Sequence, residues 1–157
     1  MKVLISDNLP DICKTILESA DIQVVTKTDF TPEELQNEIG VYNGLIIRSS
    51  TQCTPEILES ADKLQAICRA GVGVDNVNVP AATKKGVIVM NTPGGNTTST
   101  AEHAITLLLA LSRNIPQACN SVREGKWERK KFTGTQVSGK VLGVIGLGKI
   151  GKEVAKR

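Results

Sequence analysis

The first ninety residues alternate short apolar runs, rich in β-branched side chains, with segments of helical periodicity. Five of these runs are predicted to be strands, at residues 2–6, 22–26, 44–48, 64–68 and 87–90. Successive strands separated by helices pair in parallel, because a parallel pair needs a crossover connection and such crossovers are nearly always right-handed. The alternation therefore predicts an α/β fold with a flavodoxin-like, doubly wound parallel sheet.

The predicted helices between these strands carry recognisable start signals. Thr31 and Thr54 are each followed by proline and glutamate, the usual beginning of a capped helix. Further helices are predicted at 10–20, with a proline in the first turn, and at 80–85. The segment 91–96 breaks the alternation, and longer helices at 99–113 and 116–125 follow it. We therefore place a domain boundary near residue 95.

A glycine-rich turn lies close to the end of the sequence. Gly146, Gly148 and Gly151 form the pattern GxGxxG, between an apolar run at 140–145 that is predicted to be a strand and a helical segment at 152–155. In such a unit the glycines permit a tight turn, close approach of a pyrophosphate and close packing of helix on strand. The amides of Lys149 and Ile150 would then face the phosphates. We expect a dinucleotide site here, rather than a turn required only for packing.

Composition narrows the remaining possibilities. The net charge of +3 is too small to indicate nucleic-acid binding, and no apolar run is long enough to cross a membrane. The four cysteines form no CxxC pair and have no histidine nearby, so we predict no metal site and reduced thiols. The N-terminus reaches Asp7 too soon for a signal peptide. We expect a cytoplasmic protein that does not contact membranes or nucleic acid.

Several segments together resemble the D-2-hydroxyacid dehydrogenase family in motif and in order. They are residues 68–76 (CRAGVGVDN), 91–93 (NTP), 101–103 (AEH) and the glycine turn. Within that family, segments 47–49 (IRS), 91–96 and 125–132 (GKWERKKF) resemble the D-3-phosphoglycerate dehydrogenases of the animal type. The resemblance covers essentially the whole chain. It implies a flavodoxin-like substrate-binding domain at 1–95 and an incomplete Rossmann-type NAD-binding domain at 96–157, with the active site in the cleft between such domains.

The resemblance also implies a reaction and a set of binding residues. The reaction is the NAD-dependent oxidation of 3-phosphoglycerate to 3-phosphohydroxypyruvate in serine biosynthesis, by a homo-oligomer acting on a small anionic 2-hydroxy acid. Backbone amides of the bend at Gly71 and Val72 would bind the substrate carboxylate, with Arg48, Ser49 and Asn96 on the substrate side. The cofactor would contact Val72 and the glycine-turn residues, which are Gly146, Gly148, Lys149, Ile150 and Gly151.

No catalytic residue is expected among the 157 residues. The family's His-Glu pair and arginine come from later in its sequences, and His103, the only histidine, is interpreted as structural because it precedes an apolar helical stretch. The acidic residue that would select NAD over NADP is expected about 20 residues beyond the turn. We therefore expect the isolated chain to be inactive, to expose apolar surface and to be marginally stable or oligomeric.

Several alternatives remain open from the sequence. The chain could belong to a glycerate or hydroxypyruvate reductase, or to a non-catalytic, dinucleotide-sensing corepressor-like binding module. Arg69 could contact the substrate or form an ion pair at the end of its strand. The basic residues at 126–131 could guide a phosphate, although a solvated charged surface is the more ordinary interpretation. A response-regulator receiver is excluded, because the third strand ends in Arg48 and Ser49 rather than in an aspartate.

Overall fold

Five parallel strands form one sheet in the computed structural model, which describes residues 1–157. The strand order is β2-β1-β3-β4-β5, the flavodoxin-like order that the alternation predicted. The strands and the helices between them are β1 Lys2–Ile5, α1 Ile12–Glu18, β2 Gln23–Thr26, α2 Pro32–Glu38, β3 Gly44–Ile47, α3 Pro55–Glu59, β4 Ala66–Arg69, α4 Val79–Lys84 and β5 Ile88–Asn91. A single turn of 3-10 helix, Ile39–Val41, follows α2.

The register of the sheet determines which side chains form the core. Leu4 pairs with Leu45, Leu45 with Ile67, and Ile67 with Val89, so these four side chains form a row across one face. The first three are at most 1% exposed and pack with buried residues of α2, α3 and α4. Burying a leucine or isoleucine side chain of this size contributes about 1.5–3 kcal/mol. This row therefore forms part of the hydrophobic core that stabilises the sheet.

The opposite face of the sheet is covered less completely. Helix α1 contacts β2 and contributes no residue to the main core, and its Ile12 and Ile16 are about 60% exposed. Ile88 and Met90 of β5 are also exposed. The helices are thus distributed over both faces, as a doubly wound sheet requires, but unequally.

Two threonines cap helices as the sequence predicted. Thr31 forms a capping box with Glu34, in which the Thr31 hydroxyl accepts from the Glu34 N–H (3.2 Å) and the Glu34 carboxylate accepts from the Thr31 N–H (2.8 Å). Thr54 accepts from the N–H of Ile57 at the start of α3. The start of the first helix was predicted wrongly. Pro10 precedes α1, which begins at Ile12, and the Pro10 carbonyl accepts from Cys13 N–H in the turn before it.

The chain divides into two compact units, Met1–Gly95 (unit 1) and Asn96–Arg157 (unit 2). Unit 1 contains the sheet. Unit 2 contains three helices, α5 Thr97–Ser112, α6 Ile115–Arg123 and α7 Lys149–Lys156, of which α5 packs against both of the others. None of the helices in the chain is long and apolar enough to cross a membrane.

The strand predicted at 140–145 does not form. No strand pairs with this segment, and its side chains Val141 and Ile145 are almost completely exposed, at 98% and 104%. Apolar periodicity favours a strand only where a neighbouring strand supplies backbone hydrogen bonds, and no segment of unit 2 forms a strand that could do so. Together with Leu107 and Leu111 of α5, at 56% and 74% exposed, these residues account for the exposed apolar surface that the sequence led us to expect.

Candidate functional site

The substrate-side residues predicted in unit 1 lie together at the carboxyl edge of the sheet. Arg48 and Ser49 directly follow β3 and are exposed, and Gly71, Val72 and Gly73, here called the glycine bend, follow β4. Ligands of doubly wound proteins bind at this edge, beside the point where the strand order reverses. Here the order reverses between β1 and β3, next to Arg48. The position of these residues is therefore the one expected for ligand-binding groups.

The glycine bend turns its carbonyl groups toward the protein. The Gly71 carbonyl accepts a hydrogen bond from the N–H of Thr92 (2.9 Å), and the Val72 carbonyl accepts one from the side-chain amide of Asn91 (2.7 Å). The Gly73 carbonyl accepts one from the guanidinium group of Arg69. The N–H of Gly71, which the sequence assigned to the substrate carboxylate, instead donates to the carbonyl of Arg69 (2.8 Å), so the prediction for this amide was wrong. The N–H groups of Val72 and Gly73 make no hydrogen bond within the chain. Val72 is also 37% exposed. The bend can therefore offer backbone donors to an anion, and this needs no particular side chain at position 72.

Arg69 is bound by the chain itself. Its Nε donates to the carbonyl of Arg48 (3.2 Å), and its guanidinium lies 3.4 Å from the carboxylate of Asp75. A Cβ on Gly73 would lie 2.8 Å from that carboxylate and 3.1 Å from the guanidinium, so glycine permits this close approach. Of the two roles that the sequence left open for Arg69, the structure favours the ion pair at the strand end.

The glycine turn has a different requirement at each glycine. Gly146 adopts φ +92°, a conformation that other residues rarely adopt. A Cβ on Gly148 would meet no atom within 4 Å, so the space in front of this residue is open. A Cβ on Gly151 would overlap the carbonyl oxygen of Gly146. These are the roles of turn, open approach and close packing that dinucleotide-binding turns assign to their three glycines.

The glycine turn leads directly into the N-terminus of α7. Gly148 is its N-cap residue, no side chain caps the helix, and no acidic residue lies in its first turn. The first N–H groups of a helix have no partner within the helix and carry partial positive charge. The amides of Lys149 and Ile150 are among these groups, so they can serve as donors to a phosphate.

The remaining predicted residues of unit 2 lie on α5. Asn96 is the N-cap residue of this helix, yet its exposed side chain makes no capping hydrogen bond. His103 is exposed on the same helix. Because its side chain is exposed, His103 has no buried packing role.

Two buried polar residues beneath the unit 1 edge were not predicted from the sequence. Asp7 and Asn76 are 4% and 5% exposed, and both bond to the loop of residues 48–51 that follows β3, here called the β3 loop. Asp7 lies two residues after the end of β1, and Asn76 follows the glycine bend. A polar residue at a strand end is a weak signal by itself, because the sequence does not show which distant loop it reaches.

The four cysteines are free thiols, and no group of three or more His, Cys, Asp or Glu side chains is arranged to hold a metal ion. Burial raises the pKa of the Cys53 thiol to about 12, with a smaller effect from the Asp7 carboxylate. Burial also raises the pKa of Cys68. Both thiols are therefore protonated and poorly nucleophilic near neutral pH, so neither is suited to covalent catalysis.

The chain is similar in sequence to several proteins named D-3-phosphoglycerate dehydrogenase. The chain is 54% identical over 156 residues to D-3-phosphoglycerate dehydrogenase of Sus scrofa, and 50% identical over 157 residues to the enzyme of that name from Archaeoglobus fulgidus. The alignments cover 99% and 100% of this chain but only 29% and 30% of those relatives. The chain therefore spans less than a third of the length of these relatives.

Solved structures show the same fold. The TT0316 protein from Thermus thermophilus has a TM-score of 0.89 and 32% sequence identity, over 99% of this chain and 52% of the other. The NAD-dependent formate dehydrogenase from Staphylococcus aureus in complex with NAD has a TM-score of 0.88 and 28% identity, with the same coverage. Residues 3–152 match the family described as D-isomer specific 2-hydroxyacid dehydrogenase, catalytic domain. The chain belongs to the D-2-hydroxyacid dehydrogenase family.

Proposed function

We propose that the chain forms part of a cytoplasmic enzyme that oxidises 3-phosphoglycerate to 3-phosphohydroxypyruvate with NAD, in serine biosynthesis. Unit 1 is the substrate-binding domain, and unit 2 is the beginning of the Rossmann-type NAD-binding domain. The observation that carries the proposal is the edge of unit 1, where the free amides of the glycine bend and the exposed side chain of Arg48 follow adjacent strands. The 54% identity to a D-3-phosphoglycerate dehydrogenase supports the choice of substrate.

The two anionic ends of 3-phosphoglycerate match two different kinds of donor at this edge. The N–H groups of Val72 and Gly73 suit the carboxylate, because backbone amides bind a small planar anion without a competing counter-ion. The guanidinium of Arg48 suits the phosphate, to which it can donate two parallel hydrogen bonds. Its one hydrogen bond in the chain is a long one to the carbonyl of Asn8 (3.5 Å), so the group is available. Ser49 and Asn96 are assigned to the substrate side as further polar contacts.

The geometry of the glycine turn fits NAD, because each of its three glycines meets a requirement of a dinucleotide-binding turn. The open space at Gly148 and the uncapped N-terminus of α7 would receive the pyrophosphate, with amides from Lys149 and Ile150. When bound, NAD accepts the hydride from C2 of the substrate. The residues of this chain bind and orient the two molecules. Removal of the hydroxyl proton requires a general base, and we propose that residues 1–157 do not supply it.

The proposal is tested by a chimera in which this chain replaces the 156 aligned residues of the Sus scrofa enzyme. We expect the purified chimera to reduce NAD when given 3-phosphoglycerate and to act much more slowly on D-glycerate, which lacks the phosphate. Arg48→Ala should raise KM for 3-phosphoglycerate by about 10- to 100-fold, the effect of losing a charged hydrogen-bond pair of roughly 1.5–3 kcal/mol. A smaller effect is expected on D-glycerate.

Residues 1–157 alone should show no turnover with either substrate. A folded chimera that oxidises neither substrate would refute the proposed activity. A chimera that prefers D-glycerate would favour a glycerate or hydroxypyruvate reductase. We also propose, from the family resemblance alone, that the intact protein is a homo-oligomer.

A further inference from the structure

We propose that Asn76 and Asp7 are positioning residues that hold the β3 loop in the conformation that presents Arg48 and Ser49 to the substrate. This inference rests on the proposed function, because it names residues that act through the proposed substrate contacts. Neither residue is exposed enough to contact a substrate directly, at 5% and 4%. Each of them instead bonds to both ends of the loop.

Asp7 holds the N–H groups of the loop. One carboxylate oxygen accepts from the N–H of Arg48 (2.5 Å) and from the N–H of Thr51 (3.3 Å), and the other accepts from the Thr51 hydroxyl (2.9 Å). All of these donors are neutral, so the carboxylate makes charge-assisted hydrogen bonds without a cationic partner. The negative charge of Asp7 is therefore used to fix backbone groups, and Arg48 keeps its own charge free for an anion.

Asn76 holds the carbonyl groups of the same two residues. Its side-chain amide donates to the carbonyl of Arg48 (2.8 Å) and to the carbonyl of Thr51 (2.6 Å). Both contacts are to carbonyl oxygens, which only the NH₂ group of the amide can satisfy, so the orientation of the side chain is determined. Arg48 and Thr51 thus each donate to Asp7 and accept from Asn76.

This arrangement also fixes the loop relative to the glycine bend. Asn76 follows the bend by three residues, and the carbonyl of Arg48 receives a second hydrogen bond from Arg69, which also bonds to Gly73. The two proposed anion-binding elements, Arg48 and the bend, are therefore connected through the polar contacts of Asn76 and Arg69. A substrate that must reach both elements depends on their separation, so loss of Asn76 should weaken substrate binding even though Asn76 does not touch the substrate.

The test uses ¹⁵N-labelled chain 1–157 and two readouts. The first is the hydrogen-exchange rate of the Arg48 and Thr51 amides, which reports the order of the loop. The second is the dissociation constant for 3-phosphoglycerate from an NMR titration. Asn76→Ala and the nearly isosteric Asn76→Asp, which lacks the donors, should each accelerate both amides and weaken binding by about tenfold, as expected for one to two lost net hydrogen bonds. Asn76→Ser keeps a single donor and should have an intermediate effect.

Asn43 provides a matched control. It is also an asparagine that bonds to distant backbone, accepting from the N–H of Lys2 (2.9 Å) and donating to the carbonyl of Lys63 (3.5 Å), but it lies at the opposite edge of the sheet. Asn43→Ala should lower Tm while leaving the loop amides and the affinity unchanged.

The outcomes distinguish the positioning role of Asn76 from the identity of the substrate. Wild-type exchange rates and affinity in the Asn76 variants would overturn the inference, as would an equal loss of affinity in Asn43→Ala or a disordered loop with unchanged affinity. If the wild-type chain does not bind 3-phosphoglycerate, the claim that unit 1 binds this ligand by itself is refuted, the activity of the chimera decides the substrate, and the exchange rates still decide whether Asn76 orders the loop.

Discussion

Three glycines near the end of the chain should respond differently to the same substitution, glycine to alanine. A methyl group at Gly151 would overlap the carbonyl oxygen of Gly146, whereas a methyl group at Gly148 or Gly143 would meet no atom within 4 Å. Overpacking of a tight contact costs about 1–3 kcal/mol. At Gly148 the backbone, with φ −73° and ψ −162°, is allowed for alanine. Alanine is a poorer N-cap residue than glycine but restricts the unfolded chain more, and because these effects oppose each other the stability should change by only a few tenths of a kcal/mol.

The effect of these substitutions on the affinity for NAD should not parallel their effect on stability. Gly148→Ala places its methyl group in the open space that we assign to the pyrophosphate, so the affinity for NAD should fall about tenfold or more, which corresponds to roughly 1.4 kcal/mol. Gly151→Ala should lower both stability and affinity. Gly143→Ala should change neither, because it lies in open space outside the GxGxxG pattern.

The assay combines urea denaturation, followed through the resolved amide signals of unit 2, with an NMR titration of NAD. Binding of NAD by Gly148→Ala as tightly as by the wild type would refute the assignment of this open space to the pyrophosphate. A Gly151→Ala variant that is no less stable than Gly143→Ala would contradict the overlap expected at Gly151.

Three further predictions concern helix capping and the cysteine thiols. Thr31→Ala should lower the unfolding free energy of unit 1 by about 1 kcal/mol through loss of the capping box, as measured by urea denaturation, whereas Thr31→Ser should retain most of it. Burial raises the folded-state pKa of Cys53 to about 12, so the contribution of this thiol to stability is present below about pH 9 and is lost as the pH rises toward 12. The difference in unfolding free energy between the wild type and Cys53→Ala should therefore narrow between about pH 9 and 12. A constant difference would contradict this prediction. A thiol reagent at pH 8 should modify the exposed Cys119 first and leave Cys53 unmodified until the protein unfolds; equal rates in the folded protein would show that Cys53 is accessible.

The sheet and its helix starts could be predicted because their signals are local. A strand is visible as a run of apolar β-branched residues, and the caps at Thr31 and Thr54 are set by residues within three positions of each other. The parallel pairing of the strands followed from the requirement for crossovers. The failure at 140–145 has the opposite cause, because a strand depends on a partner strand that the run itself does not specify.

The polar framework of the site could not be predicted, because its contacts span long distances in sequence. Asp7 reaches Arg48 across 41 positions, and Asn76 reaches it across 28. The sequence identified Arg48 and the glycine bend through their resemblance to a family, but it could not show that buried side chains connect them. Arg69 illustrates the same limit, since its ion pair with Asp75 became distinguishable from a substrate contact only in three dimensions.

The central claim is that the carboxyl edge of unit 1 binds a phosphorylated 2-hydroxy acid. A comparison of 3-phosphoglycerate with D-glycerate, by NMR titration of the ¹⁵N-labelled chain, tests this claim most directly. The account predicts saturable shifts at Arg48, Ser49, Val72 and Gly73, with tighter binding of 3-phosphoglycerate that Arg48→Ala reduces to the level of D-glycerate. Equal affinity for the two ligands, or shifts confined to residues away from this edge, would contradict it.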